Sequence, residues 1–125
     1  MKPGDTFLVN LGGGKHLHVV LSHPLDTGQF VAVMLSTYDE DCKNQTCLVR
    51  ASDGHPFIKH LSYVAYNMAT LLKESDLVKL KYKKMPSFSD SVLSRILQGA
   101  DSNSSDLPNK FWVILDDQHL IPRNK

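Results

Sequence analysis

The sequence predicts an α+β fold, in which a small, strongly bent antiparallel sheet or barrel is closed by one or two C-terminal helices. Over the first two-thirds of the chain, short β-branched and apolar runs alternate with turn-forming residues, which is typical of a β-rich domain. After Met85-Pro86 the apolar residues repeat at helical spacing. A chain of 125 residues is long enough to bury one core, so we expect a single domain over residues 1–125.

Five runs are predicted to be strands because β-branched or apolar residues lie between turn-forming residues. They cover residues 6–10, 16–22, 29–36, 46–50 and 62–66. The third run is almost entirely apolar, which indicates a central strand buried on both faces. Residues 68–72 either extend the fifth strand beyond a bend at Asn67 or begin another strand. The acidic stretch 38–45 is predicted to be a surface loop.

The last third of the chain predicts helices. Ser87-Phe-Ser-Asp90 has the form of a capping box, with Asp90 in place of the usual Glu. We expect Gly99 to end or weaken the helix that follows, near its last turn. The apolar face of this helix comprises Val92, Leu93, Ile96, Leu97 and Ala100.

A second helix is predicted to be capped by Ser104 or Ser105, with Pro108 tolerated in its first turn. Ser75-Asp76 is predicted to cap a short helix that runs through Leu80. These assignments divide the single domain into a barrel over residues 1–85, a helical extension over 86–116 and a loose tail over 117–125.

Composition argues against several classes of protein. The net charge of +1 removes any argument for nucleic-acid binding from overall basicity, so such a contact would need a local patch. No apolar run approaches the roughly 20 residues of a membrane helix, and the N-terminus lacks the apolar core of a signal peptide. We therefore expect a cytoplasmic protein without membrane contact. In a reducing compartment Cys42 and Cys47 are expected to be free thiols.

Residues 53–66 concentrate reactive side chains in one short run. The run contains two histidines, two tyrosines, a serine, a lysine and an aspartate. Asp53-Gly54 is suited to a tight turn, and Pro56 favours an extended conformation at His55. We interpret this run as part of a functional site.

RNA cleavage is one chemistry that the histidines fit, since it needs a base near the 2′-hydroxyl, an acid at the leaving oxygen and a cation for the phosphate. The candidate acids and bases are His16, His18, His55 and His60; the candidate cations are Lys15, Arg50 and Lys59; the candidate base-stacking residues are Tyr38, Tyr63 and Tyr66. Composition alone supports this chemistry weakly, and each residue taken singly favours a structural interpretation. In that interpretation, His16 and His18 share one outward-facing strand face and the tyrosines fill the edges of the core.

Two other chemistries fit the residues less well. Cys42, Cys47, His55 and His60 occur in the order of a zinc site, but only seven residues separate the second Cys from the first His, which is poor for a compact finger. We therefore expect no metal and no cofactor. Ser62 lacks the Gly-x-Ser-x-Gly elbow of a hydrolase nucleophile, so it is interpreted as a hydroxyl that satisfies a strand end or binds an anion.

Four segments, taken in chain order, resemble the MazF/PemK (Kid-type) toxin family. Pro3-Gly-Asp5 resembles the family's opening, and the run Gly-Lys-His-Leu-His-Val-Val-Leu-Ser at 14–22 is similar to its Gly-x-Arg-Pro-x-Val-Val-Leu-Ser segment. Thr27-Gly28, residues 30–35 and Ser36-Thr37 resemble the third strand and the threonine that follows it. Gly54-His-Pro-Phe57 resembles a Gly-Tyr-Pro-Phe element of the family.

The resemblance implies an SH3-like β-barrel with a helical end, usually a homodimer. It also implies a metal-independent endoribonuclease that cleaves single-stranded RNA and is neutralised by a cognate antitoxin protein. The family's catalytic pair is an arginine on the second strand and a threonine after the third. Thr37 matches the threonine, whereas His16, beside Lys15, stands at the arginine position. Either His16 and Lys15 share the arginine's role, or His55 contributes, or cleavage is lost and binding remains.

We therefore predict a PemK-like endoribonuclease toxin, with His16, Thr37 and His55 nearest the scissile phosphate. The residues expected to bind or orient the substrate are Lys15, Ser36, Arg50, Ser62 and Tyr63. The alternative is a catalytically inactive module that uses the same barrel surface to bind a protein partner or nucleic acid. The predicted partners are single-stranded RNA, a cognate antitoxin and a second copy of the chain.

Overall fold

Six antiparallel strands form one curled sheet in the computed structural model, which describes residues 1–38, 46–102 and 105–121. The strands are β1 (Thr6–Asn10), β2 (Lys15–Val20), β3 (Gln29–Thr37), β4 (Leu48–Val49), β5 (Ser62–Lys73) and β6 (Lys83–Met85). Their order across the sheet is β4-β5-β3-β2-β1-β6. The helices are α1 (Glu74–Lys79), α2 (Asp90–Ala100) and α3 (Asn109–Asp117). The predicted α+β fold, with a bent antiparallel sheet and two C-terminal helices, is confirmed.

A bend in β5 curls the sheet. Ala32 of β3 pairs with Thr70, whereas Met34, only two residues further along, pairs with Ala65. Residues 66–69 of β5 therefore lie opposite a single residue of β3, and a strand with such an excess must bend and twist. The strand predicted over 62–66 thus continues past the predicted bend and ends at Lys73.

The central strands are buried on both faces, which explains their continuous apolar sequences. One face, which includes Leu17 and Val33, belongs to the same core cluster as Ile96 of α2 and Leu115 of α3. The opposite face, which includes Phe7 and Phe30, forms a smaller cluster with Leu77 of α1. The helices thus close both sides of the sheet, and they leave its strand ends available for a site.

Gly99 lets α2 approach the bend of β5. The Tyr66 hydroxyl donates a hydrogen bond to the Ile96 carbonyl at 2.6 Å. A Cβ atom on Gly99 would collide with that hydroxyl and would lie 3.2 Å from the Cβ of Cys47. Gly99 lies in the last turn of α2, as predicted, since the helix ends one residue later at Ala100; its missing side chain is also needed for packing.

The start of α2 differs from the predicted capping box. Ser89 is the capping residue, and its Oγ accepts a hydrogen bond from the Val92 N–H at 3.4 Å. Ser87 instead donates its hydroxyl proton to Asp5 Oδ1 at 2.9 Å. The serine predicted to begin the helix therefore ties the helix entrance to the residue before β1.

The other two helices also begin at residues that local sequence did not identify. α1 starts at Glu74 after Lys73, not after the predicted Ser75-Asp76 cap. α3 starts directly after Pro108 without a side-chain cap, so the predicted cap at Ser105 is wrong; Ser104 lies outside the described residues. None of the helices in the described ranges is long and apolar enough to cross a membrane.

Residues 118–121, part of the predicted loose tail, pack against the domain. The Gln118 side chain accepts a hydrogen bond from the His23 backbone N–H at 2.7 Å and donates one to the His23 carbonyl at 3.1 Å. Ile121 is 6% exposed and belongs to the larger core cluster.

We predict that Gly99→Ala lowers the free energy of unfolding by about 1–3 kcal/mol, because the added methyl group overpacks the contact with the Tyr66 hydroxyl. Helix propensity alone predicts the opposite sign, since alanine is favoured over glycine by about 1 kcal/mol inside a helix. Chemical denaturation measures the difference.

The control is the same substitution in a Tyr66→Phe background, which removes the hydroxyl that the new methyl group would meet. Gly99→Ala should cost less stability there, because the two sites are in contact and their effects are not additive. Equal losses in both backgrounds would show that the hydroxyl does not limit how closely α2 approaches.

Candidate active site

A cleft of about 350 Å³ lies where β2 begins and β3 ends. One wall comes from the two strands, and the other comes from the segment that leads into β5. The residues that line the cleft are Lys15, His16, Leu17, Leu35, Ser36, Thr37, Phe57, Ile58, Lys59, His60 and Ser62.

Strand pairing brings the first wall together. β2 begins at Lys15, which pairs with the last residue of β1, so His16 follows immediately at the mouth of the sheet. β3 ends at Thr37, which pairs with Ser62 at the start of β5. The polar residues of this wall are thus strand-end residues, held in register by the sheet and left outside its apolar centre.

The second wall is a segment fixed at both ends. It begins after a short 3-10 helix, Ala51–Asp53, which ends at Gly54 with a φ of 96°, a conformation that favours glycine. The Arg95 guanidinium of α2 pairs with the Asp53 carboxylate at 2.9 Å. At the far end, the Tyr38 N–H donates to the Leu61 carbonyl at 2.8 Å. Residues 55–61 therefore span from a point beside the middle of α2 to the end of β3.

His55 fastens the start of this segment to β1. Thr6 Oγ1 donates its proton to the Pro86 carbonyl at 2.7 Å, so it accepts a proton from His55 Nε2 at 2.8 Å. On the other side of the ring, the Phe57 backbone N–H donates to His55 Nδ1 at 3.1 Å. These bonds assign His55 as a neutral imidazole protonated at Nε2.

The surroundings of His55 favour this neutral state. The side chain is only 4% exposed, and its ring lies 5.0 Å from the Phe88 ring, centroid to centroid. Burial lowers the pKa of the His55 imidazole, because a buried charge loses its hydration. A proton on Nδ1 would also remove the acceptor for the Phe57 N–H. The ring is therefore built to hold the segment in place.

The structure brings five of the eight predicted site residues into the cleft. These residues come from three separate parts of the sequence, and the strand register brings them together: Lys15, His16, Ser36, Thr37 and Ser62. The three others lie outside the lining. His55 is buried behind the wall, Arg50 is exposed before the 3-10 helix, and Tyr63 is partly buried on β5.

Besides three aliphatic residues, three lining residues were not among the predicted site residues. Lys59 and His60, the candidate cation and the candidate acid or base named above, are both exposed on the second wall. Phe57 was named only within the Gly54-His-Pro-Phe57 element and was given no role, although 44% of its surface is exposed. Its sequence signal is an aromatic residue between Pro56 and two basic residues, Lys59 and His60.

The face of β2 that His16 and His18 share does not point outward at His18, so that part of the structural interpretation is wrong. His18 is 5% exposed, and its ring stacks on Phe7 with centroids 5.4 Å apart and planes 5° from parallel. Burial lowers the pKa of His18. The structural interpretation therefore holds for His18 but not for His16, which borders the cleft. Tyr66, one of the three tyrosines considered for base stacking, is fully buried.

The cleft has a cationic character. Lys15 stands on one wall and Lys59 on the other, and among the described residues that line the cleft none is acidic. His16 Nε2 donates to the Gly13 carbonyl at 3.3 Å, so the lone pair of the neutral ring is on Nδ1. The site thus combines positive charge with a nitrogen that can accept a proton.

A metal site finds no support in the described residues. They contain no group of three or more His, Cys, Asp and Glu side chains placed to hold a metal ion. Cys47 is a buried free thiol, and the burial raises its pKa. Cys42, like the rest of the predicted loop after Tyr38, lies outside the described part of the chain.

No protein-family model matches the sequence, and no curated protein matches it either. Solved structures match its fold. An endoribonuclease in complex with its cognate antitoxin, from a mycobacterial species, has a TM-score of 0.59 at 16% identity. That match covers 81% of this chain and 92% of the other.

Two crystal forms of MazE-MazF from Deinococcus radiodurans are similar as well. Form-III has a TM-score of 0.53 at 16% identity and covers 93% of this chain and 96% of that chain. Form-II has a TM-score of 0.54 at 17% identity and covers 79% and 89%. The chain therefore has a MazF-like fold, as the sequence resemblance predicted.

We predict that acid weakens the fold through His55. Because its pKa is lowered in the folded state, the unfolded chain takes up a proton first, near its ordinary value of about 6.5. The stabilisation is fully present above that pH and is lost as the pH falls through the lowered value. His55→Gln keeps an N–H for Thr6 but does not titrate, so its unfolding free energy should depend less on pH, by up to about 1.4 kcal/mol per unit.

Denaturation curves between neutral and acidic pH measure this dependence. His60→Gln is the matched control, since it removes an exposed histidine from the same segment and should leave the pH dependence unchanged. His18, whose pKa is also lowered, contributes equally to all three proteins and cancels. If His55→Gln titrates like the unchanged protein, the hydrogen-bonded neutral state assigned to His55 is incorrect.

Proposed function

We propose that this chain is a toxin of a toxin–antitoxin system, an endoribonuclease that cleaves single-stranded RNA in the cleft. The observation that carries the proposal is the lining itself. Two lysines, two histidines, three hydroxyl groups and an exposed phenylalanine converge there, on a fold shared with an endoribonuclease. RNA cleavage requires this set of groups: a cation for the phosphate, a base, an acid and a surface for the nucleobase.

The cleft favours an unpaired strand as its substrate. Phe57 presents an exposed ring on the second wall, beside Lys59. An aromatic ring stacks on a base only when that base has left its own stack, as in single-stranded loops and ends. Lysines on both walls attract the phosphate that joins the stacked nucleotide to its neighbour.

The side chains of the cleft supply the reaction without a metal. The 2′-hydroxyl oxygen attacks the adjacent phosphorus, a new P–O2′ bond forms and the P–O5′ bond breaks. The products are a 2′,3′-cyclic phosphate and a free 5′-hydroxyl. One histidine removes the 2′-hydroxyl proton and the other gives a proton to the leaving O5′, so protons balance over the step.

We assign His16 as the base, through Nδ1, and His60 on the opposite wall as the acid. Thr37, with Ser36 beside it, donates hydrogen bonds to the phosphate oxygens, and Lys15 with Lys59 balances the charge that develops on them. This assignment keeps His16 and Thr37 from the sequence prediction.

Two of the remaining predicted residues, His55 and Ser62, take supporting roles. His55 is a positioning residue, since it holds the segment that carries Phe57 and His60. The Ser62 hydroxyl donates to the His60 carbonyl at 3.1 Å, which fixes the backbone of the proposed acid. Arg50 and Tyr63 do not reach the cleft lining and are given no part in the reaction.

The proposed partners follow from the resemblance and from the charge of the cleft. We propose a cognate antitoxin that neutralises the toxin by placing an acidic segment over Lys15 and Lys59, because opposite charge would be buried there in place of the phosphate. We also propose that the active form is a homodimer and that it acts in the cytoplasm.

We predict that the protein cleaves single-stranded RNA without added metal, and that His16→Ala and His60→Ala each lower the rate by about 10²- to 10⁴-fold, the usual contribution of a general acid or base. His23→Ala, an exposed histidine outside the cleft, is the control and should cleave at the unchanged rate. A gel assay in the presence of a chelator measures cleavage. RNA that is bound but stays intact would instead support the non-catalytic binding module.

We predict that Phe57→Ala weakens RNA binding by about 1–3 kcal/mol, the loss of one base–aromatic stack. The measurement is fluorescence anisotropy with a 2′-O-methyl oligonucleotide, which lacks the attacking hydroxyl. Phe57→Tyr keeps the ring and should bind like the unchanged protein. Equal affinity of all three proteins would mean that Phe57 does not contact a base.

A further inference from the structure

Positive charge is concentrated at one edge of the sheet, away from the cleft lining. Residues 73–84 contain five lysines and two acidic residues, a net charge of +3, whereas the rest of the chain sums to −2. The segment covers the end of β5, α1 and most of β6. Within the described residues the lysines of β6, Lys83 and Lys84, form no ion pair with a carboxylate. This edge is therefore the basic part of a nearly neutral protein.

Strand register separates the two lysines of β6. Lys83 pairs with Leu8 of β1, and Leu8 pairs in turn with Leu17 of β2, which lines the cleft. Residues opposite each other on neighbouring strands point to the same face of a sheet. Lys83 therefore lies on the same face as two of the lining residues, Lys15 and Leu17, and Lys84, which pairs with Phe7, lies on the other face. Both are exposed.

Lys83 and Leu17 lie at the same level of the sheet, because both are level with Leu8, two residues beyond Thr6 along β1. The segment that forms the second wall is fixed at Thr6, which His55 contacts, and at the end of β3, where Tyr38 bonds Leu61. Two strand spacings, about 10 Å, separate the backbone of Lys83 from that of Leu17.

We propose that RNA bound in the cleft continues across β1 and places a phosphate on Lys83. The inference rests on the proposed function and extends it, since it names a substrate contact outside the cleft and a direction for the strand. Lys15 at the mouth of the cleft and Lys83 on the same face form the two ends of this path. The bound RNA is then longer than the part that the cleft encloses.

The alternative explanation for Lys83 is protection of an edge. β6 is the last strand of the sheet, and lysines on edge strands prevent pairing with other chains. Such a role does not distinguish the two faces, so Lys83 and Lys84 would be equivalent. An RNA path over Lys83 predicts that the two lysines differ in their effect on RNA binding. Because they are neighbours with the same charge, they form a matched pair for a test.

The test is anisotropy with 2′-O-methyl single-stranded RNA at several salt concentrations, using a short oligonucleotide that fills the cleft and one extended by several nucleotides. Each phosphate contact on a single strand contributes about 0.7 to the slope of log affinity against log salt concentration. With the longer RNA, Lys83→Gln should lower the magnitude of this slope by about 0.7, and Lys84→Gln should leave it unchanged. With the short RNA, all three proteins should give the same slope.

The outcomes separate this inference from the function on which it rests. Equal slopes for Lys83→Gln and Lys84→Gln with the longer RNA overturn the path and leave the cleft assignment standing. No RNA binding by the unchanged protein overturns the proposed function together with the path. Poly-glutamate binding that Lys83→Gln abolishes, with RNA binding intact, assigns the residue to an acidic protein partner and also overturns the path. Thermal melting verifies that both variants are folded.

Discussion

The contact between Tyr66 and Gly99 is the constraint on which the architecture depends. Tyr66 lies where β5 bends, and its buried hydroxyl binds the Ile96 carbonyl. Only a residue without a side chain at position 99 lets the helix come close enough for this bond. The bend makes β5 pair with β3 in two separate registers, so the sheet curls around the core that α2 and α3 complete. A single tyrosine–glycine contact therefore couples the curvature of the sheet to the position of the helices.

The curvature in turn creates the cleft. The first half of β5 pairs with the end of β3, which brings Ser62 beside Thr37, and the preceding segment must cross the open end of the sheet to reach this position. His55 fixes the crossing to Thr6, at the start of β1. A buried imidazole that uses both nitrogens is a strong local anchor, since the loss of either partner leaves a buried polar atom unsatisfied. The proposed chemistry of the cleft is thus carried by strand ends and by the segment before β5, and its geometry is fixed by buried groups.

The sequence was informative wherever local pattern decides structure. Alternation and apolar runs located β1, β2 and β3 to within a few residues, and helical periodicity located α2. The sequence was not informative where tertiary contacts decide the role of a residue. Gly99 has the local signal of a helix end, but its role depends on a tyrosine 33 positions earlier in the chain. His55 has the chemistry of a catalytic base, yet its burial follows from Thr6 and Phe88, which no local pattern connects to it. Phe57 was missed because exposure cannot be read from residue type.

The cleft also clarifies what a histidine at position 16 changes. An arginine there would give a permanent charge and a bidentate grip on phosphate, but it could not accept a proton. In the proposed reaction Lys15 and Lys59 supply the charge from two walls, so the residue between them is released from that task. Lysine is a flexible point charge and orients a phosphate poorly, which leaves orientation to the hydroxyls of Ser36 and Thr37. One arginine and its partner threonine would combine the charge, the orientation of the phosphate and the proton transfer. In the proposed site these tasks are divided among separate side chains. Such a site depends more strongly on pH than one built on arginine, because one of its parts must be neutral to work.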